Sequence, residues 1–301
     1  MNQSPEVSIV VAVYNRPERI KKCIESLLKL DPKSPSHEIF VIDNGSTDNT
    51  PQVVQAFPQV TYLEQTEIRG ASAARNEGIR LAKGKYLAVT DSDCEVNSQW
   101  LIEGIKALQD PNVAIVGGKI LGVEPPENIV QEWMNERKIL DQEWVINHPE
   151  KKSVQTANAF FYMEDIKSLG GFNTSLRFGE DVDMCYRVMK KTGKNIANAP
   201  KSIVHHFHRA TTKDLWNQMK SSSEGFLSFT KAHPEIPKKN PKTSFWEVYD
   251  VMRSGAKYLS TCLTLKPYKE RTYAKLLFVT KAARKWGLIT TAIKTKQWSR
   301  W

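Results

Sequence analysis

The first residues in this chain that could do chemistry are Asp91 and Asp93, in Thr90-Asp91-Ser92-Asp93, directly after the apolar run Lys85-Tyr86-Leu87-Ala88-Val89. Carboxylates at the end of a buried strand are costly to hold there without a cation. On an extended chain residues i and i+2 project to the same side, so this pair can converge on one point. Hard oxygen ligands of that kind suit Mg²⁺ or Mn²⁺, which complete their shells with water and substrate phosphates. Acidic turns after strands are also common without any ion, so the neighbouring motifs must weigh in.

Three further clusters do. Glu180-Asp181 opens a stretch in which Val182, Cys185, Tyr186 and Met189 recur at helical spacing, with Asp183 and Arg187 predicted to pair on its exposed side. A carboxylate at such a helix N-terminus stays ionised, as a base must, and Asp181 also suits an N-cap. His205-His206-Phe207-His208 puts three histidines in four residues; along a strand His206 and His208 share a face and His205 takes the other. Asp43, in Asp43-Asn44-Gly45-Ser46-Thr47-Asp48, can accept from a nucleobase N–H or close its own turn, and Gly45 lets backbone approach a ligand. Arg75 and Asn76 lie early in a helix after Gly70, where backbone donors and the helix dipole favour anions; simple solvent exposure is the alternative.

The elements that position these residues alternate. Val7–Tyr14 is a nearly all-apolar, β-branched run, as expected of a strand buried on both faces. Arg19–Leu30 follows at helical spacing, then strand 38–43, helix 51–57, strand 60–63, helix 72–82 ending at Gly84 as its C′ residue, strand 86–89, helix 99–108 and strand 113–116. Strands alternating with helices predict parallel βαβ units in an α/β, doubly wound sheet, with ligands at the carboxyl ends of the strands. Tyr14-Asn15-Arg16, Asp43–Asp48 and Asp91–Asp93 all fall at such ends. Beyond residue 120 the rhythm breaks: Trp133–Trp144 reads as a helical insertion or flap, and residues 210–301 as helices carrying basic residues.

Composition bounds the class. At 301 residues, 40% hydrophobic and 25% charged, this is an ordinary globular chain. Cys23, Cys94, Cys185 and Cys262 are scattered, which argues against a zinc site or disulfide framework and fits a reducing, cytoplasmic setting. The N-terminus lacks a signal-peptide pattern, and no run reaches the ~18–20 apolar residues that span a bilayer. Residues 201–301 hold 20 Lys/Arg against 6 Asp/Glu, so the basicity belongs to the C-terminal part.

In order, Val7–Asn15, Asp43–Asp48, Gly70-Ala71-Ser72-Ala73-Ala74-Arg75-Asn76-Glu77-Gly78, Asp91-Ser92-Asp93, Gly170-Gly171-Phe172, Gly179-Glu180-Asp181, Pro200 and the histidine cluster resemble the family 2 inverting glycosyltransferases of GT-A fold. The resemblance covers about residues 7–210. It implies a Rossmann-like, mostly parallel sheet flanked by helices, with a helical C-terminal extension. By this reading residues 1–120 form the nucleotide-sugar half, 121–210 the acceptor and catalytic half, and 211–301 the extension. It implies a nucleotide-sugar donor, first of all a UDP-sugar, held by Val13, Tyr14, Asn15, Arg16, Asp43, Gly45, Ser46, Arg69, Arg75, Asn76, Asp91 and Ser92. Ala12 and Arg69 stand where the family usually has proline and asparagine, which leaves the nucleotide open. Asp93 is implied as the direct ligand of Mn²⁺ or Mg²⁺, and Asp91 as a ligand or a contact to ribose or metal-bound water. His206 is the third ligand by its spacing from Pro200, with His205 and His208 as alternates. Asp181 is implied as the base, Glu180 beside it on the acceptor or orienting the base, and Asn158 at the acceptor. The aromatic run Phe160-Phe161-Tyr162 stacks on a sugar or forms a buried strand.

The acceptor so implied is a glycan or lipid-linked glycan, as in polysaccharide biosynthesis. The stretch Tyr273–Trp301 interleaves Leu276, Trp286, Leu288, Ile293 and Trp298 with Lys275, Lys281, Lys294, Lys296 and Arg300. That pattern suits an amphipathic helix on an anionic membrane, and hence a peripheral place on the inner face of the cell membrane; packing on the domain is the alternative. Two rivals remain. A nucleotidyltransferase also uses paired aspartates but gives Glu180-Asp181 no role. A nucleic-acid-binding protein would use the basic tail and leave the acidic motifs idle, so no nucleic acid is expected.

Overall fold

The computed structural model describes residues 4–65, 67–148, 152–236 and 241–295, the side chains of 241–245 and 295 excepted. In chain order the elements are β1 (Val7–Val13), α1 (Pro17–Leu27), β2 (His37–Asp43), α2 (Thr50–Gln55), β3 (Thr61–Glu64), α3 (Ala71–Leu81), β4 (Tyr86–Asp91), β5 (Cys94–Val96) and α4 (Trp100–Leu108). Then follow β6 (Val113–Gly122), α5 (Ile129–Glu136), α6 (Gln142–Ile146), β7 (Asn158–Tyr162), α7 (Met163–Ser168), α8 (Glu180–Thr192), β8 (Asn195–His206), α9 (Thr212–Ala232), α10 (Pro241–Leu263) and α11 (Tyr268–Thr295). The chain divides into two compact units: residues 1–123 with 140–207, and residues 124–139 with 208–301.

The first unit is built on an eight-stranded sheet in the order β3-β2-β1-β4-β7-β6-β8-β5. β1 pairs parallel with β2 and β4, β2 with β3, and β6 with β8; β7 runs antiparallel to β4 and β6, and β5 antiparallel to β8. The predicted α/β sheet flanked by helices is therefore present, in mixed form. The apolar character of β1 has the predicted cause. Val7, Ile9, Val11 and Val13 join one core with Ile20, Cys23, Ile24 and Leu27 of α1. Val10 faces the opposite core with Ala74 and Ile79 of α3. A strand with a helix layer on each side has no solvent-facing positions for polar residues.

Two local expectations change. Helix α3 stops at Leu81 with an extended Ala82, so Gly84 is no C′ residue. Its requirement is space: a Cβ there would lie 2.5 Å from the Ser8 backbone nitrogen. The Asp183–Arg187 pair forms, Nε to Oδ2 at 2.7 Å, but Asp183 is buried rather than on the exposed side.

In the second unit the predicted insertion contributes α5, whose Val130, Trp133 and Met134 pack with Leu215 and Met219 of α9 and Leu276 and Ala283 of α11. Leu288 and Ala292 of α11 pack with Leu227 of α9. Part of the apolar surface of α11 is thus packed inside its own unit, as the packed alternative expects, while Trp286 and Ile293 remain exposed. Lys296, Trp298 and Arg300 lie outside the described residues. No helix among the described residues is long and apolar enough to cross a membrane.

Candidate active site

Asp91 ends β4, Ser92 and Asp93 turn, and Cys94 opens β5. Because residues 92–93 turn instead of continuing extended, the two aspartates do not converge as the i, i+2 rule predicts. Asp91 reaches Arg75 Nη2 at 2.9 Å. Asp93 is buried; its Oδ2 accepts from Arg16 Nη1 at 2.8 Å, and its Oδ1 lies 3.5 Å from His206 Nε2. The antiparallel pairing of β5 with β8 sets Cys94 opposite His206, which carries the imidazole to the aspartate turn. Asp93, Cys94 and His206 bring potential ligand atoms within 4.8 Å of one another, and all three are buried. Burial, then Asp93 and Asp91, raises the Cys94 thiol well above its ordinary pKa, and a soft sulfur ligand suits a hard ion poorly. Asp93 and His206 are the oxygen and nitrogen donors that remain. β8 ends at His206; His205 pairs opposite Glu95, and His208 belongs to the other compact unit.

The second half of the site turns on Arg75. Far from being solvent-exposed on α3, its guanidinium is 4% exposed. Nη2 donates to Asp91 Oδ1 and to Thr156 Oγ1 at 2.8 Å, and Nη1 donates to Glu180 Oε1 at 3.0 Å. One buried cation therefore ties the aspartate motif to the acidic pair that opens α8. The turn 170–172 sets this geometry. Asn76 Nδ2 donates to the Phe172 carbonyl and Asn76 Oδ1 accepts from the Phe172 N–H, at 2.8 and 2.7 Å. Arg187 of α8 donates to the Leu169 and Gly171 carbonyls. Gly171 has φ +79°, and a Cβ there would lie 2.4 Å from Asn76 Oδ1, so glycine is required on both counts. Both amide atoms of Asn76 are spent on this clamp. Asn76 thus has a structural role in holding this turn.

The N-cap position of helix α8 is Gly179 in a left-handed conformation (φ 80°), not Asp181, which stands two residues on in the first turn. Asp181 Oδ1 accepts from the Val182 N–H at 2.8 Å. Part of the carboxyl stays open to solvent, yet the surrounding protein and then the neighbouring Glu180 charge push its pKa up to about 7; Val182 N–H and Arg75 only partly offset this. The helix dipole does not keep it fully ionised, as sequence reasoning expected.

The loops after β1 and β2 are zipped together. Asn15, in the left-handed region at φ 49°, donates its N–H to Ser46 Oγ, and its Oδ1 accepts from Thr47 N–H. Asp43 is buried, and its Oδ1 accepts from both N–H and Oγ of Ser46, closing its own turn beside Gly45. Tyr62 OH donates to Asp43 Oδ2 at 3.3 Å; burial and this carboxylate push the phenol up to about 12. Val13 is buried beneath the loop, Tyr14 is exposed, and Arg69 is exposed. Ser92 is buried in its turn.

Asn158, expected at the acceptor, is fully buried. Its Oδ1 accepts from Trp100 Nε1 at 2.8 Å, and its Nδ2 donates to the Lys119 and Ser202 carbonyls. Nothing of it is left for a ligand, because β7 lies inside the sheet. Phe160 and Phe161 are buried for the same reason and cannot stack on a sugar. Thr156 and Tyr62 had escaped sequence reasoning: one sits in an irregular segment, the other reads as an ordinary strand aromatic.

The description "Glycosyl transferase family 2" belongs to the family model that matches residues 8–169. The glycosyltransferase AglE of Haloferax volcanii is 30% identical over 182 residues, 59% of this chain and 59% of that protein. The pre-mycofactocin glycosyltransferase of Mycobacterium tuberculosis is 27% identical over 215 residues, 69% of this chain and 44% of that protein. The chain thus spans less than two thirds of the length of these relatives. Among solved structures, the mannosyltransferase PcManGT from Pyrobaculum calidifontis, in complex with GDP-Man and Mn²⁺, superposes with a TM-score of 0.66 at 20% identity. That alignment covers 98% of this chain and 88% of the other, a likeness of fold. With the aspartate turn, the acidic helix start and more than half of the sequence matched, the chain belongs to glycosyl transferase family 2.

Proposed function

We propose that this protein transfers a sugar from a nucleoside-diphosphate sugar to a hydroxyl of a glycan or lipid-linked glycan, with inversion and with a divalent ion. The observation that carries the reading is the carboxylate cluster around Arg75, which sets Glu180 and a base-like Asp181 beside the aspartate motif. Asp181 takes the proton from the acceptor hydroxyl as that oxygen attacks the anomeric carbon, a direct displacement that inverts its configuration. Glu180, tied to Arg75, orients this carboxylate and keeps its proton affinity high.

Asp93 and His206 would hold the metal. An oxygen–nitrogen donor pair fits Mn²⁺ better than Mg²⁺, and the Pyrobaculum protein carries Mn²⁺. When bound, such an ion offsets the charge on the departing diphosphate. Arg16, now on Asp93, supplies a second cation at the same end of the sheet. The zipped loops with Asn15, Ser46 and Asp43 form the nucleoside side, and Tyr14, Gly45 and Arg69 border it. The donor is a UDP-sugar in our reading; GDP-mannose, bound by the Pyrobaculum protein, is the comparison to run against it. A lipid-linked acceptor would bring the protein to an anionic membrane surface. No observation favours nucleotidyl transfer or nucleic-acid binding.

The test is thermal stabilisation by UDP-, GDP- and dTDP-sugars with Mn²⁺, since ligand bound to the folded state raises its stability by mass action. Labelled transfer with the stabilising donor should stop on chelation and return with Mn²⁺, and the product anomer should be inverted. Stabilisation by none of the donors, or full transfer in excess chelator, would overturn the reading.

A further inference from the structure

We infer that the outer face of α10, with the turn into α11, inserts into the headgroup region of an anionic lipid bilayer. The inference rests on the membrane-facing acceptor proposed above and moves the contact from α11, whose Leu276, Ala283, Leu288 and Ala292 are buried, to a different surface. Val248, Met252, Leu259 and Leu263 recur on one face of α10 and are all exposed, Met252 to 68% and Leu263 to 84%. Tyr249 flanks them at 51%, and Leu265 and Tyr268 extend the patch through the turn. Side chains of this size, all but Val248 at least half open to water, form a patch on the order of several hundred Å², the size that on a monomer surface is often a functional contact.

Charge identifies the partner. The acids of this helix turn toward α11: Asp250 pairs with Lys281 at 2.7 Å, and Glu247 lies 3.6 Å from Lys285. Arg253 and Lys257 stand exposed along one edge of the apolar stripe, and Lys266 is exposed in the turn. Glu270 is an exposed acid beyond them. An apolar stripe edged by cations, with tyrosines at its margin, matches a bilayer whose acyl boundary takes the stripe and whose anionic headgroups take the cations. A second copy of the chain would bring the same cations face to face, at a cost that an apolar contact of this size must first overcome.

The experiment uses the full chain with vesicles of phosphatidylcholine alone and of phosphatidylcholine with phosphatidylglycerol. Co-sedimentation is expected with the anionic vesicles at low salt and is lost at high salt. Met252→Asp combined with Leu263→Asp should weaken binding at least about tenfold. Arg253→Glu with Lys257→Glu should do the same while leaving the apolar stripe whole. All four residues are exposed, so the melting temperature should not change; the charge pair gives an independent reading if the apolar pair loses its fold. Binding by both variants equal to that of the unaltered chain overturns the inference, as does a dimer in sedimentation that the apolar pair dissolves. Sugar transfer to a soluble acceptor is followed on the same samples. Lost transfer with intact vesicle binding refutes the catalytic reading alone, and intact transfer without vesicle binding refutes this surface alone.

Discussion

Replacing Asp181 with Asn tests the base and the cost of keeping it. The amide preserves the shape and the acceptor that receives the Val182 N–H, and removes only basicity. General-base removal is worth about 10²–10⁴ in rate, so turnover should fall by that factor with donor affinity nearly unchanged. In the unaltered protein the carboxyl is pushed up to about 7 by burial and Glu180, so about nine in ten copies are ionised at pH 8 and about one in ten at pH 6. Activity should therefore drop nearly tenfold per pH unit below 7. Stability moves the other way. A carboxyl that binds its proton more tightly folded than unfolded contributes stability below about pH 4, and loses it as pH rises through about 7. The rise from 3.8 to about 7 corresponds to about 4 kcal/mol at full effect, which partial solvation of the group reduces to about 1–2 kcal/mol. Asp181→Asn should thus be inactive yet melt a few degrees higher than the unaltered protein at pH 8, and at the same temperature near pH 4. Stopped assays with labelled donor and melts from pH 4 to 8 read both effects. More than about a tenth of normal turnover, or a melting difference that does not grow with pH, would refute the reasoning.

Other perturbations have separate signatures. Arg75→Met leaves Asp91 and Glu180 without their buried cation and should cost about 3–5 kcal/mol in a denaturant melt; a loss below about 1 kcal/mol would show the junction to be solvated. Asn158→Ala orphans Trp100 Nε1 and two carbonyls, so stability should fall by about 2–4 kcal/mol while the acceptor KM of the folded fraction holds; a changed KM with unchanged stability would return Asn158 to the acceptor. Deleting residues 268–301 removes Leu276, Ala283, Leu288 and Ala292 from around α9, with buried leucines worth about 1.5–3 kcal/mol each. Protease should then cut within 208–267 far faster than in the full chain, and equal protection would mean that α9 and α10 fold without α11.

The sequence alone determined the elements of residues 7–116 except β5, and the order of the chemical motifs, because hydrophobic period and turn residues are local properties. β1 must be buried on both faces to be so apolar, and polar residues gather where buried strands end. What sequence could not supply was the partner of each polar group. Asn158 read as a ligand contact from its motif, but pairing with Trp100 brought its amide inside the protein, and Asn76 proved to be tied to Phe172. Asp91 and Asp93 looked like one ligand pair until a two-residue turn sent one to Arg75 and the other to His206, 113 positions along the chain in the latter case. The proton affinity of Asp181 likewise depends on how much protein surrounds it and on where Glu180 and Arg75 come to rest. Burial and electrostatic coupling are set by groups far apart in sequence, so only the tertiary structure decides them.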